Sequence, residues 1–176
     1  MFSIFYLILS AENIQLNLSS MKILMVCLGN ICRSPLAEGI LKAKLSESFF
    51  VDSAGTISMH EGENPDKRAI KTSANHGIDI SKQKSRPLLS SDLDKFDKIY
   101  CMDLKNLEDV ISMTKNEEQR KKVHLFLEEA GNHQNAEVPD PYWGDMNDFE
   151  NVFQLLDDAC NKISHQLQQQ VITNKI

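Results

Sequence analysis

The segment formed by residues 26–35 (VCLGNICRSP) constrains the fold more than any other part of the sequence. It follows a short apolar run, residues 22–26, and it leads into residues 34–47, where apolar side chains recur at helical spacing. A buried strand that passes through a tight loop into a helix is the unit of open parallel sheets. Such sheets bind ligands beyond the carboxyl ends of their strands. The sequence therefore predicts an α/β fold with a ligand site in this segment.

Strand-like and helix-like segments alternate through the rest of the chain, and no repeat or linker interrupts them. This alternation, in a chain of 176 residues, predicts one domain over residues 21–176. The predicted strands are residues 22–26, 49–53, 98–102 and 123–127. The predicted helices are residues 34–47, 64–76 with Asn64 as N-cap, 104–113 with Asp103 as N-cap, and 149–167.

Residues 1–20 precede this pattern and differ from it. They begin with an apolar run, MFSIFYLILSA, which no Lys or Arg precedes. The run is short for an export signal and far too short to span a bilayer. Because a second methionine, Met21, starts the regular pattern, we expect residues 1–20 to be a non-native or disordered N-terminal extension. An export signal is the alternative.

The loop at residues 26–35 has the residue types of a phosphate site with a nucleophile. Backbone N–H groups of a tight loop that enters a helix bind anions, and Gly29 and Asn30 tolerate the left-handed conformations that such a loop needs. Arg33 offers a planar fork to two phosphate oxygens. An anion site of this kind favours the thiolate of Cys27, which can attack phosphorus. Ser34 can donate its hydroxyl to that sulfur and help it leave.

A candidate general acid lies far downstream. Asp140 is flanked by Pro139 and Pro141, which restrict the backbone to extended conformations and stiffen the loop. An alkyl or aryl oxide leaves readily only when it is protonated as the P–O bond breaks, so a carboxyl group is needed near the phosphate. Tyr142 and Trp143 follow directly and are expected to form an aromatic wall for a flat substrate ring.

Residues 27–35 resemble the signature of the low-molecular-weight protein tyrosine phosphatases, and the resemblance extends over nearly all of residues 21–167. Four further motifs follow in the family's order: Asp52-Ser53-Ala54-Gly55-Thr56, His76-Gly77-Ile78, Met102-Asp103 and Asp140-Pro141-Tyr142-Trp143-Gly144. The resemblance implies a flavodoxin-like three-layer sandwich with a four-stranded parallel sheet. It also implies hydrolysis of phosphotyrosine and other aryl phosphate monoesters through a cysteinyl-phosphate, without metal or cofactor.

The resemblance assigns roles to individual residues. Cys27 corresponds to the nucleophile, Arg33 to the phosphate clamp and Asp140 to the general acid and base. The other residues expected to bind the phosphate are Leu28, Gly29, Asn30, Ile31, Cys32 and Ser34.

Supporting roles also follow from the resemblance. Asn30 is expected to hold the shape of the loop through hydrogen bonds to Ser53 and His76. On the cavity wall opposite the Tyr-Trp pair, the family often carries an aromatic residue, whereas this chain has Met59. Because methionine is apolar and adaptable, we expect the substrate ring to bind there, but with less affinity or selectivity.

The four cysteines are interpreted as reduced thiols. A chain of this length and apolar content needs no disulfides, and no His lies at zinc-ligand spacing from a cysteine. This predicts a cytoplasmic protein. Cys101 and Cys160 lie in apolar runs and are expected in the core. For Cys32 two interpretations stay open: it packs, or it traps an oxidised Cys27 as a reversible disulfide.

Three other functions are compatible with parts of this pattern. Arsenate reductases of similar fold relay electrons through closely spaced downstream cysteines, whereas Cys101 and Cys160 are far apart. Phosphoarginine phosphatases of this fold typically have threonine where this chain has Ile31. A module that binds phosphotyrosine without turnover would lack the nucleophile or the acid, and Cys27 and Asp140 are both present. The pattern therefore favours a tyrosine phosphatase.

The charge of the chain bears on its partners. Its net charge is -6, and an acidic chain gains nothing from the phosphate attraction that drives nucleic-acid binding. We therefore expect no nucleic-acid partner and no membrane partner. The resemblance implies a phosphotyrosine-containing protein as substrate, and we expect a monomer or a weak dimer.

Overall fold

The computed structural model describes residues 21–134 and 136–173, so the predicted extension at residues 1–20 lies outside the described residues. Four parallel strands form a sheet in the order β2-β1-β3-β4. The strands are β1 Met21–Cys27, β2 Phe49–Gly55, β3 Lys98–Cys101 and β4 Val123–Leu125. The predicted flavodoxin-like α/β architecture with a four-stranded parallel sheet is confirmed.

Helices connect and cover these strands. They are α1 Arg33–Lys44, α2 Lys67–Asn75, α3 Asp92–Lys95, α4 Leu104–Ser112, α5 Glu117–Arg120, α6 Phe126–Glu129 and α7 Met146–Thr173. In the described part of the chain, none of the helices combines the length and the apolar character needed to cross a membrane.

The ends of two predicted helices illustrate the role of capping. Asp103 caps α4 as predicted, because its carboxylate accepts a hydrogen bond from Asn106 N at 2.7 Å. The prediction for α2 is wrong: Asp66, not Asn64, is the N-cap, and it accepts from Arg68 N at 2.8 Å. Both residues have side chains suited to capping, so the helix starts where the carboxylate also reaches the guanidinium of Arg68.

The fourth strand is shorter than predicted. It ends at Leu125, and Phe126 and Leu127 already belong to α6. Both of these side chains are buried. A buried strand and a buried helix can both contain a short apolar run. The sequence of residues 123–127 therefore does not show where the strand ends and the helix begins.

The central strand β1 is buried on both faces. Ile23 and Met25 pack in one hydrophobic cluster with α1 and α7, and Leu24 and Val26 pack in a second cluster with α3 and α4. Because successive side chains of a strand point to opposite faces, the sheet lies between two helical layers. The carboxyl ends of β1, β2 and β3 then meet at one edge of the sheet, which is where the candidate site lies.

Candidate active site

The loop after β1 wraps around the thiol of Cys27. Cys27 is the last residue of β1, and α1 begins at Arg33. Asn30 has a φ of 55°, the left-handed conformation that lets its N–H point back to Cys27 Sγ at 3.3 Å. On the other side, Ser34 Oγ lies 3.0 Å from the same sulfur. Two hydrogen-bonding groups thus converge on a single buried thiol.

A hydrogen-bond network behind the loop fixes the direction of these bonds. The amide nitrogen of Asn30 donates to Ser34 Oγ at 2.9 Å and to Ser53 Oγ at 2.8 Å. Since each hydroxyl accepts from Asn30, each keeps its own proton to donate elsewhere. The proton of Ser34 therefore points to Cys27 Sγ, which is the direction that stabilises a thiolate. The structure therefore contains the hydrogen bond between Asn30 and Ser53 that was expected from the sequence.

His76 does not take part in this network, and its predicted contact with Asn30 is wrong. It lies at the C-terminal end of α2, where its Nε2 is 2.8 Å from Glu150 Oε1 and its ring stacks on Phe153 of α7 at 4.0 Å. The side-chain oxygen of Asn30 instead accepts from the backbone N–H of Arg86 at 2.9 Å. A backbone donor leaves no mark in a sequence, so side-chain motifs could not identify this partner.

Glu38 extends the network into the core, and the sequence analysis did not single it out. Its side chain is 5% exposed; Oε2 accepts from Ser53 Oγ and Oε1 from Lys42 Nζ, both at 2.5 Å. Burial raises the pKa of this carboxyl group, and the bonds from Lys42 and Ser53 oppose that effect. The signal in the sequence was its place early in the helix that follows the loop; its bond to Ser53 of β2 is visible only in the structure.

Arg33 joins the loop to two carboxylates. Its Nη1 donates to Asp103 at 2.6 Å and to the carbonyl of Val138 at 3.1 Å, and its Nη2 donates to Asp140 at 2.9 Å. Burial tends to lower the pKa of this guanidinium, but Cys27, Asp140 and Asp103 together raise it. Arg33 is therefore a fixed cation beside the thiol. From the sequence, Asp103 was predicted only as a helix cap, and the structure shows that it holds Arg33 as well.

A cavity of about 370 Å³ opens above Cys27 and is of the size that binds small ligands. Its lining includes Cys27, Leu28, Gly29, Ile31, Cys32, Arg33, Met59, Asp140, Tyr142 and Trp143, all of which the sequence analysis had singled out. Ile57 and His60 also line it, although neither had been assigned a role in the site. Trp143 is 93% exposed and packs edge-to-face on Tyr142, with ring centroids 4.9 Å apart. Met59, also largely exposed, adds a third large apolar side chain to the lining.

The other three thiols are also buried, and Cys32 lines the same cavity as Cys27. Burial raises the pKa of Cys32, and the charge of Asp66 adds to this effect. Burial likewise raises the pKa of Cys101 and of Cys160. All four cysteines are free, and the redox role of Cys32 stays a prediction. Residues 21–134 and 136–173 contain no group of three or more His, Cys, Asp or Glu side chains placed to hold a metal ion.

A thiol in an anion-binding loop, an arginine beside it and a carboxyl group at the mouth of the cavity are the features of a cysteine-dependent phosphatase. The family described as low molecular weight phosphotyrosine protein phosphatase matches residues 22–173. The chain belongs to this family.

Individual relatives agree with this assignment. The low molecular weight phosphotyrosine protein phosphatase of Schizosaccharomyces pombe is 40% identical over 149 residues, which cover 81% of this chain and 94% of the yeast protein. A protein tyrosine phosphatase structure from Entamoeba histolytica has a TM-score of 0.80 at 38% identity, and the match covers 86% of this chain and 99% of that one. Vibrio vulnificus Wzb, solved with benzylphosphonate, has a TM-score of 0.74 at 30% identity and covers 84% of this chain and 99% of its own.

Proposed function

We propose that the chain hydrolyses phosphotyrosine and related aryl phosphate monoesters through a cysteinyl-phosphate on Cys27. The observation that carries the proposal is the convergence of Cys27, Arg33 and Asp140 on one cavity, although Arg33 and Asp140 lie 107 residues apart in the chain. Family membership supports the same reaction.

In the first step, the thiolate of Cys27 attacks phosphorus while the P–O bond to the leaving group breaks. Arg33 and the backbone N–H groups of the loop hold the phosphate oxygens. Arg33 Nη2 donates to the carboxylate of Asp140 at 2.9 Å, and a phosphate oxygen of the substrate would take the place of that carboxylate. Asp140, in its protonated form, then gives its proton to the leaving oxygen.

In the second step, water attacks the phosphorus of the cysteinyl-phosphate and the S–P bond breaks. Asp140, now ionised, accepts the proton of the attacking water. The electron pair of the broken bond returns to sulfur as a thiolate, which accepts a hydrogen bond from Ser34. The enzyme thereby regains its starting state, and the products are the free alcohol or phenol and inorganic phosphate.

The apolar mouth of the cavity supports a substrate with a flat ring. Tyr142, Trp143 and Met59 form apolar walls of the cavity, and 76% of the surface of Met59 is exposed. The Vibrio relative was solved with benzylphosphonate, a compound that joins a ring to a tetrahedral anion. We infer that a phosphotyrosine side chain enters with its ring between these walls.

The proposal also covers the compartment, the protein substrate and the oligomeric state. The four free, buried thiols favour a reducing compartment such as the cytoplasm. A protein that presents phosphotyrosine on an exposed segment would reach the cavity, because the rim is open and Trp143 is almost fully exposed. We propose that the chain meets such substrates as a monomer or a weak dimer.

Hydrolysis of p-nitrophenyl phosphate, measured with EDTA and a reducing agent present, tests the proposal. We expect turnover by the wild type, loss of turnover with Cys27→Ser, and near-normal turnover with Cys160→Ala, which removes a thiol from the core instead. Asp140→Asn should lower kcat by about 10²-fold or more. A reduced, folded wild type without turnover would refute the reaction.

Three further assays separate the alternatives. Phosphoarginine turnover faster than phosphotyrosine turnover would move the assignment to an arginine phosphatase. Arsenate-dependent oxidation of thiols would move it to a reductase. Saturable binding of a phosphotyrosine peptide without release of phosphate would identify a binding module.

A further inference from the structure

The segment that follows Asp140 is tied to the body of the protein by Arg68. Arg68 Nη2 donates to the carbonyl of Tyr142 at 2.9 Å, and Nη1 donates to the carbonyl of Gly144 at 2.8 Å. In the part of the chain that the structure describes, the other hydrogen bonds of residues 141–145 stay within residues 140–149. Arg33 fixes the start of this loop through Val138 and Asp140, and Arg68 supplies the hydrogen bonds that join the residues directly after Asp140 to another part of the described chain.

Arg68 is itself held firmly. Its Nε and Nη2 donate to the two carboxylate oxygens of Asp66 at 3.0 and 2.7 Å, and its guanidinium lies 4.6 Å from the centroid of the Phe149 ring. The hydrogen bonds from Arg68 lower the pKa of Asp66, so the pair stays ionised at neutral pH. The planar fork thus has one edge on a carboxylate and the other on two carbonyls, an arrangement that a lysine cannot reproduce.

Asp66 also contacts the nucleophile loop. Its backbone N–H donates to the carbonyl of Ile31 at 2.8 Å, and Ile31 lies between Cys27 and Arg33 in that loop. A continuous path therefore runs from Ile31 through Asp66 and Arg68 to the segment after Asp140. The path connects the loop that carries the nucleophile to the loop that carries the acid.

We propose that Arg68 is a positioning residue for the general acid, because it holds the loop of Asp140, Tyr142 and Trp143 at a fixed place relative to the phosphate loop. This inference rests on the proposed function. Arg68 does not touch the reacting atoms in the proposal; it acts through Asp140. Small displacements of a catalytic group cost large factors in rate, so loosening this loop should impair the transfer of the proton.

Substrates with different leaving groups can distinguish a role of Arg68 in positioning the acid from a general role in stabilising the fold. Phenyl phosphate loses a strongly basic oxide, so its P–O bond breaks fast only when Asp140 supplies a proton. The oxide of 2,4-dinitrophenyl phosphate is a stable anion that leaves unaided. A defect in the position of the acid should therefore appear in kcat/KM for phenyl phosphate and be nearly absent for the dinitrophenyl ester.

The experiment compares kcat/KM of Arg68→Met for these two esters. We expect a loss on the order of tenfold or more for phenyl phosphate and less than about twofold for the dinitrophenyl ester. Both substrates are measured on one preparation, so an unfolded fraction cancels in the ratio. Arg120→Met, which removes an exposed arginine of α5, is the matched control and should leave both values unchanged.

Two further variants test whether Arg68 acts through Asp140. Asp140→Asn should show the same preference for the dinitrophenyl ester, and adding Arg68→Met to it should cause little further loss, because the two act as a unit. Arg68→Lys should restore only part of the phenyl phosphate activity, since a lysine cannot bond both carbonyls and Asp66 in the same plane.

The outcomes distinguish this inference from the proposed function. Equal losses for both esters, or losses that add fully in the double variant, would overturn the positioning role while leaving the phosphatase intact. A wild type without turnover of either ester would instead overturn the proposed function itself.

Discussion

At the residue scale, the site depends on how buried polar groups fix one another's protons. Asn30 donates to both Ser34 and Ser53, so Ser34 must direct its proton to Cys27 and Ser53 must direct its own to Glu38. Glu38 is thus the acceptor at the far end of a chain that starts at the sulfur. A buried carboxyl group in that position should make the stability of the protein depend on pH.

We predict that the free energy of unfolding contributed by Glu38 falls as pH rises. Burial raises its pKa above the usual value of 4.5, so the native state holds this proton more tightly than the unfolded chain does. The contribution is complete below pH 4.5 and is lost as pH passes through the raised pKa. Urea unfolding of the wild type and of Glu38→Gln, at several values from roughly pH 4 to pH 8, measures the difference.

The matched control is Glu47→Gln, which removes an exposed carboxyl group shortly after α1. A stability difference between the wild type and Glu38→Gln that stays constant, or that grows with pH, would contradict the prediction.

The residues proposed to take part in the reaction could be predicted from the sequence, because a nucleophile, a cation and a hydroxyl group in one short loop have few structural explanations. Cys27, Arg33 and Ser34 share one short segment, and the structure places all three around the same point. The prediction for His76 was wrong. It rested on a resemblance in sequence, whereas in the structure the side chain of His76 is bonded to Glu150 and not to Asn30. Arg68 was missed because its contacts are backbone carbonyls of a loop more than 70 residues away, which no local pattern records.

At the element scale, the end of β2 shapes the loop after β1. Gly55 lies beside Cys27 in the sheet register, and the next residues donate backbone hydrogen bonds to the carbonyls of Cys27 and Leu28. A Cβ atom on Gly55 would lie 2.8 Å from the carbonyl oxygen of Leu28 and 3.1 Å from the carbonyl carbon of Gly29. Both are backbone atoms, so the loop itself would have to move.

We therefore predict that Gly55→Ala impairs phosphate binding as well as folding. The displaced loop should lose part of its array of N–H groups, which lowers kcat/KM for p-nitrophenyl phosphate and weakens inhibition by inorganic phosphate by about tenfold or more. Overpacking should lower the free energy of unfolding by about 1–3 kcal/mol. Steady-state kinetics and urea unfolding of the same preparation measure both effects.

Gly77→Ala is the control, because Gly77 is needed for its backbone conformation and not for a close contact with another segment. Gly77 follows α2 with a φ of +77° and has no atom within 4 Å of an added Cβ. The Gly77→Ala variant should have a free energy of unfolding lower by about 1 kcal/mol and an unchanged kcat/KM. Full activity of Gly55→Ala would contradict the prediction.

The elements themselves were largely predictable, and their ends were not. All four strands lie where the apolar runs predict them, because a parallel sheet covered on both faces needs such runs. The transition from β4 to α6 at Leu125 and the cap of α2 at Asp66 depend on contacts with other elements. Local sequence therefore indicates the strands and the four longer helices, but not the short helices α3, α5 and α6, and tertiary packing decides where the elements end.

At the scale of the whole molecule, every group assigned to the site lies within residues 21–173. The sheet begins at Met21, which pairs with Phe49 of β2. We therefore predict that a chain starting at Met21 keeps kcat/KM within about twofold and keeps its unfolding midpoint. Side-by-side kinetics and urea unfolding of the two chains test this. A large loss of either quantity would show that residues 1–20 contribute to the domain.

The ion pair between Arg33 and Asp140, 107 residues apart, also determines when the site can appear during translation. At about 5–20 residues per second, the ribosome adds Asp140 roughly 5–20 s after Arg33. Throughout that interval the nascent chain exposes its thiol loop but lacks the acid, and it also lacks α7, which packs on α1. A polypeptide released early from a broken message would therefore carry the nucleophile without the means to turn over a substrate.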